Sequence, residues 1–185
     1  MTDPEQNVSS ENPTFAGDSA FKLAAGGVLA VASYLVAGFF PPYVFYLAYL
    51  VALIAVAYSD FRKRLIPNRI IYPAILVALG AMFRFPGWGS ALLGGAIAAL
   101  VFIVPIFIYG PERAGIGDVK LAFFIGLIFG FSMTLYWALF VGFGSAALVG
   151  LVGILLRKMS RKSLLPFGSF LALGAIAFLI TQMVR

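Results

Sequence analysis

The run MTLYWALFVGFGSAALVGLVGILL, residues 133–156, decides the fold class of this chain. It carries no charged residue and exceeds the ~20 apolar residues that a helix needs to cross a bilayer. The rest of the chain has the same character, because 62% of its 185 residues are hydrophobic and 11% are charged. Soluble domains have roughly 45–50% apolar and about 25% charged residues. The sequence therefore predicts an all-α fold, a polytopic membrane helix bundle.

Further apolar runs lie on both sides of this segment and predict six to seven transmembrane helices. Pro41-Pro42 and Pro166 separate neighbouring runs, because proline is disfavoured inside a helix and tolerated at its start. Asn68, which follows Pro67, is expected to cap the third helix. The second helix gains length if it continues through Asp60. The predicted helices are 23–40, 43–58, 70–83, 90–109, 118–131, 133–156 and 167–184.

Residues 1–20 differ in composition from the rest of the chain. They are polar, contain no Lys or Arg, and hold four of the seven acidic residues. A secretory signal has a basic start and an apolar core, so this segment is not one. We expect a disordered polar tail, followed by a transmembrane domain over residues 21–185.

The basic residues indicate an orientation in the membrane. The net charge is +6, but Lys and Arg lie in short connections between apolar runs, which does not favour nucleic-acid binding. If the connection 60–69 is cytosolic and the helices alternate, eleven of the thirteen basic residues are cytosolic, with only Arg84 and Arg185 outside. This bias predicts seven spans, a cytosolic N-terminus and an external C-terminus.

The residue inventory restricts the chemistry available to this chain. It has no His and no Cys, which excludes a Ser-His pair, a thiol nucleophile, Cys-ligated zinc and a HExxH zinc site. No metal or cofactor is expected. Aspartyl chemistry remains, and a Ser–Lys pair stays open.

Two acidic residues stand at the edges of apolar segments. Asp118 follows two glycines in Gly115-Ile116-Gly117-Asp118-Val119-Lys120, and Asp60 ends the second apolar run. Intramembrane acids are costly and mark candidate functional sites. The predicted orientation brings both to one face of the membrane, where two carboxylates could share a proton as in aspartic proteases. The glycines are expected to leave room for a substrate backbone.

Each acid also has a structural explanation. Asp118 is explained equally by a first-turn position beside the positive end of a helix. Asp60 is explained by pairing with Arg62, Lys63 or Arg64. If both act together, the helix dipoles favour charge on Asp118, and we expect Asp60 to hold the shared proton more often. For Lys120 the structural explanation is snorkelling to the interface, and Glu112 is expected to be a solvated loop residue.

The order of the motifs resembles the type IV prepilin peptidase family of GxGD aspartyl proteases. The resemblance rests on Asp60, Ile66-Pro67-Asn68, Gly115-x-Gly117-Asp118-x-Lys120 and Pro166-Phe167-Gly168. It implies cleavage of the short basic leader of type IV-like prepilins or pseudopilins at the cytosolic face of the inner membrane. It implies that Asp60 and Asp118 are catalytic. The implied substrate-binding or site-shaping residues are Gly115, Gly117, Lys120, Pro67, Asn68, Pro166, Phe167 and Gly168.

Two departures accompany this resemblance. Members that also methylate the new N-terminus carry a cytosolic domain with zinc-binding cysteines, so the resemblance here is to the short members that serve Flp-type pili, and methyl transfer is not expected. Ser169 stands where many relatives have proline, which we treat as minor. Two alternatives remain open: a presenilin-like intramembrane protease, and a non-enzymatic cation-coupled transporter or assembly subunit.

Overall fold

The chain folds as a bundle of helices, seen in a computed structural model that describes residues 13–109, 115–156 and 166–184. The described residues form seven α-helices and contain no β-strand, which confirms the predicted all-α membrane bundle. The helices are α1 Pro13–Phe39, α2 Pro42–Lys63, α3 Asn68–Ala81, α4 Trp88–Tyr109, α5 Ile116–Phe129, α6 Met133–Leu155 and α7 Phe167–Val184.

Four helices are long and apolar enough to cross a membrane, so this is a multi-pass membrane protein. They are α2, α6, α7 and the part Lys22–Phe39 of α1. Two others, α3 and α5, have 14 residues each. A helix of that length extends about 21 Å, less than the ~30 Å of a bilayer's hydrocarbon core. The count of seven crossings therefore stays a prediction.

The outer surface of the bundle is apolar. Large hydrophobic side chains remain exposed on α4 and α6, including Phe107 at 86% and Phe140 at 68%. A soluble protein rarely exposes contiguous apolar surface on this scale, whereas a bilayer solvates it favourably.

Helix α5, one of the two short helices, is at the centre of the bundle. It packs against α3, α4, α6 and α7, and all residues from Phe124 to Phe129 are buried. A helix that is apolar on all sides is suited to such a position. Its contact with α4 depends on glycine, because a methyl group at Gly94 would lie 2.7 Å from the carbonyl oxygen of Gly126. Small residues allow this close approach of two backbones.

Several helix ends differ from those predicted: α3 and α5 begin and end two residues earlier, and α4 begins two residues earlier. Helix α2 continues past Tyr58 to Lys63, so Asp60 lies in its last turn. Helix α1 begins at Pro13, so residues 13–20 of the predicted tail are helical, while residues 1–12 lie outside the described residues. Asn68 is not the cap of α3: Pro67 holds that position, and no side chain caps this helix. The predicted bounds of α6 and α7 are confirmed to within one residue.

The end of α2 and the starts of α5 and α7 meet at one end of the bundle. Helix α7 packs against both α2 and α5. Arg64 ends α2 in a left-handed conformation, with φ 51°, and its N–H donates to the carbonyl oxygen of Asp60 at 2.7 Å. Both candidate acids therefore lie at this end.

Candidate active site

Asp60 is buried against the first turn of α7. Only 5% of its surface is exposed. The backbone N–H of Ser169 donates to Asp60 Oδ2 at 2.6 Å, and the Ser169 hydroxyl lies 3.0 Å from the same oxygen. Ser169 is the third residue of α7, and its N–H is among the four at a helix start that lack a partner within the helix. The carboxylate of Asp60 thus takes the place of a capping group for α7.

This environment differs from the ion pair that could have explained Asp60. The side chains of Arg62, Lys63 and Arg64 are exposed, whereas Asp60 is buried. The guanidinium of Arg62 lies over the ring of Tyr58, 5.4 Å from its centroid. Pairing at the membrane boundary therefore does not account for the position of Asp60.

Asp118 lies in the first turn of α5, whose preceding residue is Gly115. Its backbone N–H donates to the carbonyl oxygen of Gly115 at 2.9 Å. Asp118 is the third residue of α5, and this helix is not among the four that are long and apolar enough to span a membrane. Burial, and secondarily the negative charge of Asp60, raise the pKa of Asp118 to about 7. A proton is therefore readily held on Asp118 near neutral pH.

The two carboxylates meet at Gly168. A methyl group at this position would lie 3.1 Å from Asp118 Oδ1 and 3.1 Å from Asp60 Oδ2. These two oxygens are therefore no farther apart than twice that distance, although 57 residues separate them in sequence. The structure brings Asp60, Asp118 and Gly168 together at one end of the bundle. That the two acids lie at one face of the membrane stays a prediction.

The division of the proton reverses our expectation from the helix dipoles. The ends of α2 and α5 alone favour charge on Asp118, but the start of α7 adds a positive dipole end and two donors beside Asp60. Hydrogen bonds to a charged carboxylate favour that form. These contacts favour charge on Asp60, and burial favours the proton on Asp118.

The motif glycines leave room for the protein's own side chains. A methyl group at Gly115 would lie 3.0 Å from Asp118 Oδ2, and one at Gly117 would lie 3.1 Å from Ile66 Cβ. At Gly168 it would lie 3.0 Å from Ile66 Cδ1. These neighbours explain the glycines without a substrate, which the sequence analysis had invoked for them.

Ile66 and Ser169 lie at the site but were not among the predicted site residues: Ile66 was quoted only as part of a motif, and Ser169 was treated as a minor departure. Ile66 lies beside the glycines of both motifs, in the connection that ends at Pro67. Pro67 is extended, with φ −72° and ψ 122°, and directly precedes α3. The departure at Ser169 is not minor, because both of its donor groups reach Asp60. The signal in the sequence was a serine in the first turn of a helix that begins directly after Pro166.

Lys120 links α5 to α3. Its Nζ donates to Asn68 Oδ1 at 2.9 Å and lies 4.7 Å from the centroid of the Tyr72 ring. This position differs from simple snorkelling, because the ammonium group has a specific partner on another helix. Asn68 thus contributes to the site region through its side chain, although it does not cap α3.

An aromatic cluster fixes the start of α7. The ring of Phe167 lies 5.7 Å from that of Phe102 on α4 and 5.2 Å from that of Phe143 on α6. Pro166 directly precedes the helix. The cluster thereby packs the residue that directly precedes Gly168 and Ser169 against α4 and α6. Glu112 lies outside the described residues.

The chemistry of this arrangement is that of two coupled carboxyl groups. Within residues 13–109, 115–156 and 166–184, no three acidic, His or Cys side chains come together as metal ligands. One charged and one protonated carboxyl group facing the same small region can activate a water molecule and polarise a carbonyl group.

Comparisons with known proteins agree with this geometry. The sequence profile of the type IV leader peptidase family matches residues 47–154, more than half of the chain. A prepilin leader peptidase/N-methyltransferase of Bacillus subtilis is 34% identical over 126 residues, covering 67% of this chain and 50% of the relative. Proteins of the same name from two strains of Burkholderia pseudomallei are 31% identical over 138 residues, covering 69% of this chain and 43% of theirs. The chain thus spans about half the length of these relatives. No solved structure gives a significant match.

Proposed function

Because the chain belongs to the type IV leader peptidase family, we propose that it is a prepilin leader peptidase, an aspartic endopeptidase. Its substrates are type IV-like or Flp-type prepilins or pseudopilins, from which it removes the short basic leader. The names of the curated relatives support this substrate class. Since the chain spans about half of those relatives, the proposal concerns the peptidase reaction alone.

The observation that carries the proposal is the meeting of Asp60 and Asp118 at Gly168. Each carboxylate oxygen lies 3.1 Å from the same point beside the Gly168 Cα. An acid at a membrane helix end is explained in several ways when it stands alone. Two acids from different helices, directed at one point with asymmetric surroundings, are the arrangement that aspartyl hydrolysis needs.

The two acids have different roles in the reaction. The charged Asp60 takes a proton from water as the water oxygen bonds to the scissile carbonyl carbon, while Asp118 gives its proton to the carbonyl oxygen. The tetrahedral intermediate then loses its C–N bond. Asp60 passes its proton to the leaving amine, and the hydroxyl of the intermediate returns a proton to Asp118. Both acids end as they began, and the water has been added across the peptide bond.

We place this site at the cytosolic face of the inner membrane, with the N-terminus cytosolic. The exposed basic residues Arg62, Lys63, Arg64 and Arg69 flank the end of α2 and the start of α3, next to the site. Positive residues concentrate on the cytosolic side of membrane proteins. That side also supplies the water that the reaction consumes.

Leader cleavage by purified variants tests the proposal. We expect Asp60→Asn and Asp118→Asn each to abolish cleavage of a prepilin, and the double variant to be no worse, because the two groups act as a unit. Membrane insertion should persist, because Asp60→Asn removes a buried charge with its desolvation cost and Asp118→Asn replaces one neutral polar group by another. Glu112→Gln is the matched control and should cut normally.

Three other outcomes would contradict parts of this proposal. Substantial cleavage by either Asp variant would exclude the aspartyl mechanism. Cleavage within the membrane segment of the pilin, rather than at its leader, would indicate a presenilin-like protease. Proton-coupled flux in vesicles without any hydrolysis would indicate a transporter whose two acids bind a cation.

A further inference from the structure

We propose that Ser169 is a positioning residue that holds Asp60 as the charged, water-activating member of the pair and so assigns the shared proton to Asp118. The catalytic consequence of this proposal rests on the proposed peptidase function. The assignment of the proton rests on the contacts of Ser169 alone.

The two donors of Ser169 reach Asp60 from one residue. Its N–H lies 2.6 Å from Asp60 Oδ2, and its hydroxyl oxygen lies 3.0 Å from the same atom. The N–H contact is short, as is typical of a hydrogen bond to an ionised acceptor, whereas 3.0 Å is long for a hydroxyl group that donates to a carboxylate. Both are buried, because Ser169 is 4% and Asp60 is 5% exposed. Water therefore does not replace these donors easily if they are removed.

Ser169 also fixes the end of α2. Its hydroxyl lies 3.0 Å from the carbonyl oxygen of Ala57, one turn before Asp60. A hydroxyl group has one hydrogen, so it is shared or alternates between the Asp60 carboxylate and this carbonyl group. The N–H has no such alternative and donates to Asp60 alone. We therefore expect the N–H to contribute more than the hydroxyl to the charge on Asp60.

Other charged groups near Asp60 do not provide the same asymmetry. From α5 the facing acid is Asp118, and Lys120 on that helix donates instead to Asn68. Helix α7 carries no charged residue between Phe167 and Val184. The remaining charged side chains on the adjoining parts of α2 and α3 are exposed, namely Arg62, Lys63, Arg64 and Arg69. Tyr72, about one turn after Asn68 in α3, faces the Lys120 ammonium group.

Two substitutions separate the two donors. Ser169→Ala removes the hydroxyl and keeps the N–H, whereas Ser169→Pro removes both. Proline is tolerated here because the N–H of the third helical residue has no partner within α7. Ser169→Thr keeps both donors. Ser145→Ala on α6, whose hydroxyl donates only to the carbonyl oxygen of Gly142 at 3.0 Å, is the control for loss of a serine hydroxyl in a membrane helix.

The first measurement is the pH dependence of leader cleavage. Weaker stabilisation of the Asp60 carboxylate lets the pair take up a second proton at higher pH. The acidic limb of the profile should therefore move upward, by about half a pH unit in Ser169→Ala and about two pH units in Ser169→Pro. Ser169→Thr and Ser145→Ala should keep the limb of the unsubstituted protein. Lower activity at every pH with an unmoved limb would show a merely structural role and overturn the proposal.

The second measurement needs no substrate. Difference infrared spectra during an acid titration record the protonated carboxyl band of Asp60, identified by its loss in Asp60→Asn. We expect this band to appear at higher pH in both Ser169→Ala and Ser169→Pro, and an unmoved band would overturn the proposal. If no pilin is cut but the band moves, the peptidase function fails and the role of Ser169 stands. If pilin is cut and the band does not move, the reverse holds.

Discussion

Adding one methyl group at Gly168 should separate the two carboxylates without unfolding the protein. In Gly168→Ala the new Cβ would lie 3.1 Å from Asp60 Oδ2, 3.1 Å from Asp118 Oδ1 and 3.0 Å from Ile66 Cδ1. Such distances are shorter than ordinary contacts, so each neighbour must withdraw by a few tenths of an ångström. The Ile66 methyl group is the end of a flexible side chain, but the two carboxylates are the groups that must stay in place.

The expected loss follows from this displacement. A misplacement of about 1 Å can cost about 100-fold in rate, so a shift of a few tenths of an ångström in each acid should lower kcat roughly tenfold. Alanine is also favoured over glycine in a helix by about 1 kcal/mol, which offsets part of the crowding. Thermal stability in detergent should therefore change little while cleavage falls.

Leader cleavage at matched protein levels is the assay, with Gly144→Ala as the control. Gly144 lies in α6 and has no neighbour within 4 Å of a methyl group at its position. A second variant, Ile66→Val with Gly168→Ala, removes the Ile66 Cδ1 contact and leaves the carboxylate contacts. It should remain impaired if displacement of the acids is the cause. Gly168→Ala with the activity of Gly144→Ala would refute the reasoning.

Three further predictions concern pH, topology and Lys120. Because the pKa of Asp118 is raised to about 7 and the reaction needs its proton, cleavage should fall as the pH rises through about 7, and a rate that is flat to pH 9 would contradict this. Single cysteines at Ser160 and Gly87 should react with an impermeant reagent from opposite sides of the membrane; labelling of both from outside would exclude the proposed orientation. Lys120→Ala should lower thermal stability slightly, because it breaks one exposed hydrogen bond to Asn68, and it should reduce cleavage less than the Asp variants do. Complete inactivity of a stable, inserted Lys120→Ala protein would place Lys120 in the chemistry itself.

Sequence patterns predicted best the helices whose ends carry local signals. Helix α6 begins after Ser132, whose hydroxyl accepts from the N–H of Leu135 at 3.4 Å, and α7 begins after Pro166. In both cases the apolar run begins directly after the signal, so the predicted bounds agree with the structure. The end of α2 was harder, because the polar residues after Tyr58 are typical of a loop at a membrane edge. The helix continues there because Asp60 is held by α7.

The side-chain environment of the two acids could not be predicted in the same way. Ser169 is 109 residues from Asp60, and Lys120 is 52 residues from Asn68. Neither contact has a local pattern, since each depends on how two helices pack. The motifs indicated which residues belong to the site region, but their partners came from the tertiary arrangement. The position of Ile66 between two glycine motifs is of the same kind.

Helix α7 explains why two chemically identical acids can act differently. The dipoles of α2 and α5, taken alone, would put the charge on Asp118. The first turn of α7 gives Asp60 two donors through Ser169, and through Gly168 it leaves space for both carboxylates. Phe167 packs that turn against α4 and α6. Phe167 thus packs the first turn of α7 in place, Gly168 leaves space for the two carboxylates, and Ser169 donates to one of them. A substitution at one of these residues should therefore change how the acids share their proton more than it changes the folding of the bundle.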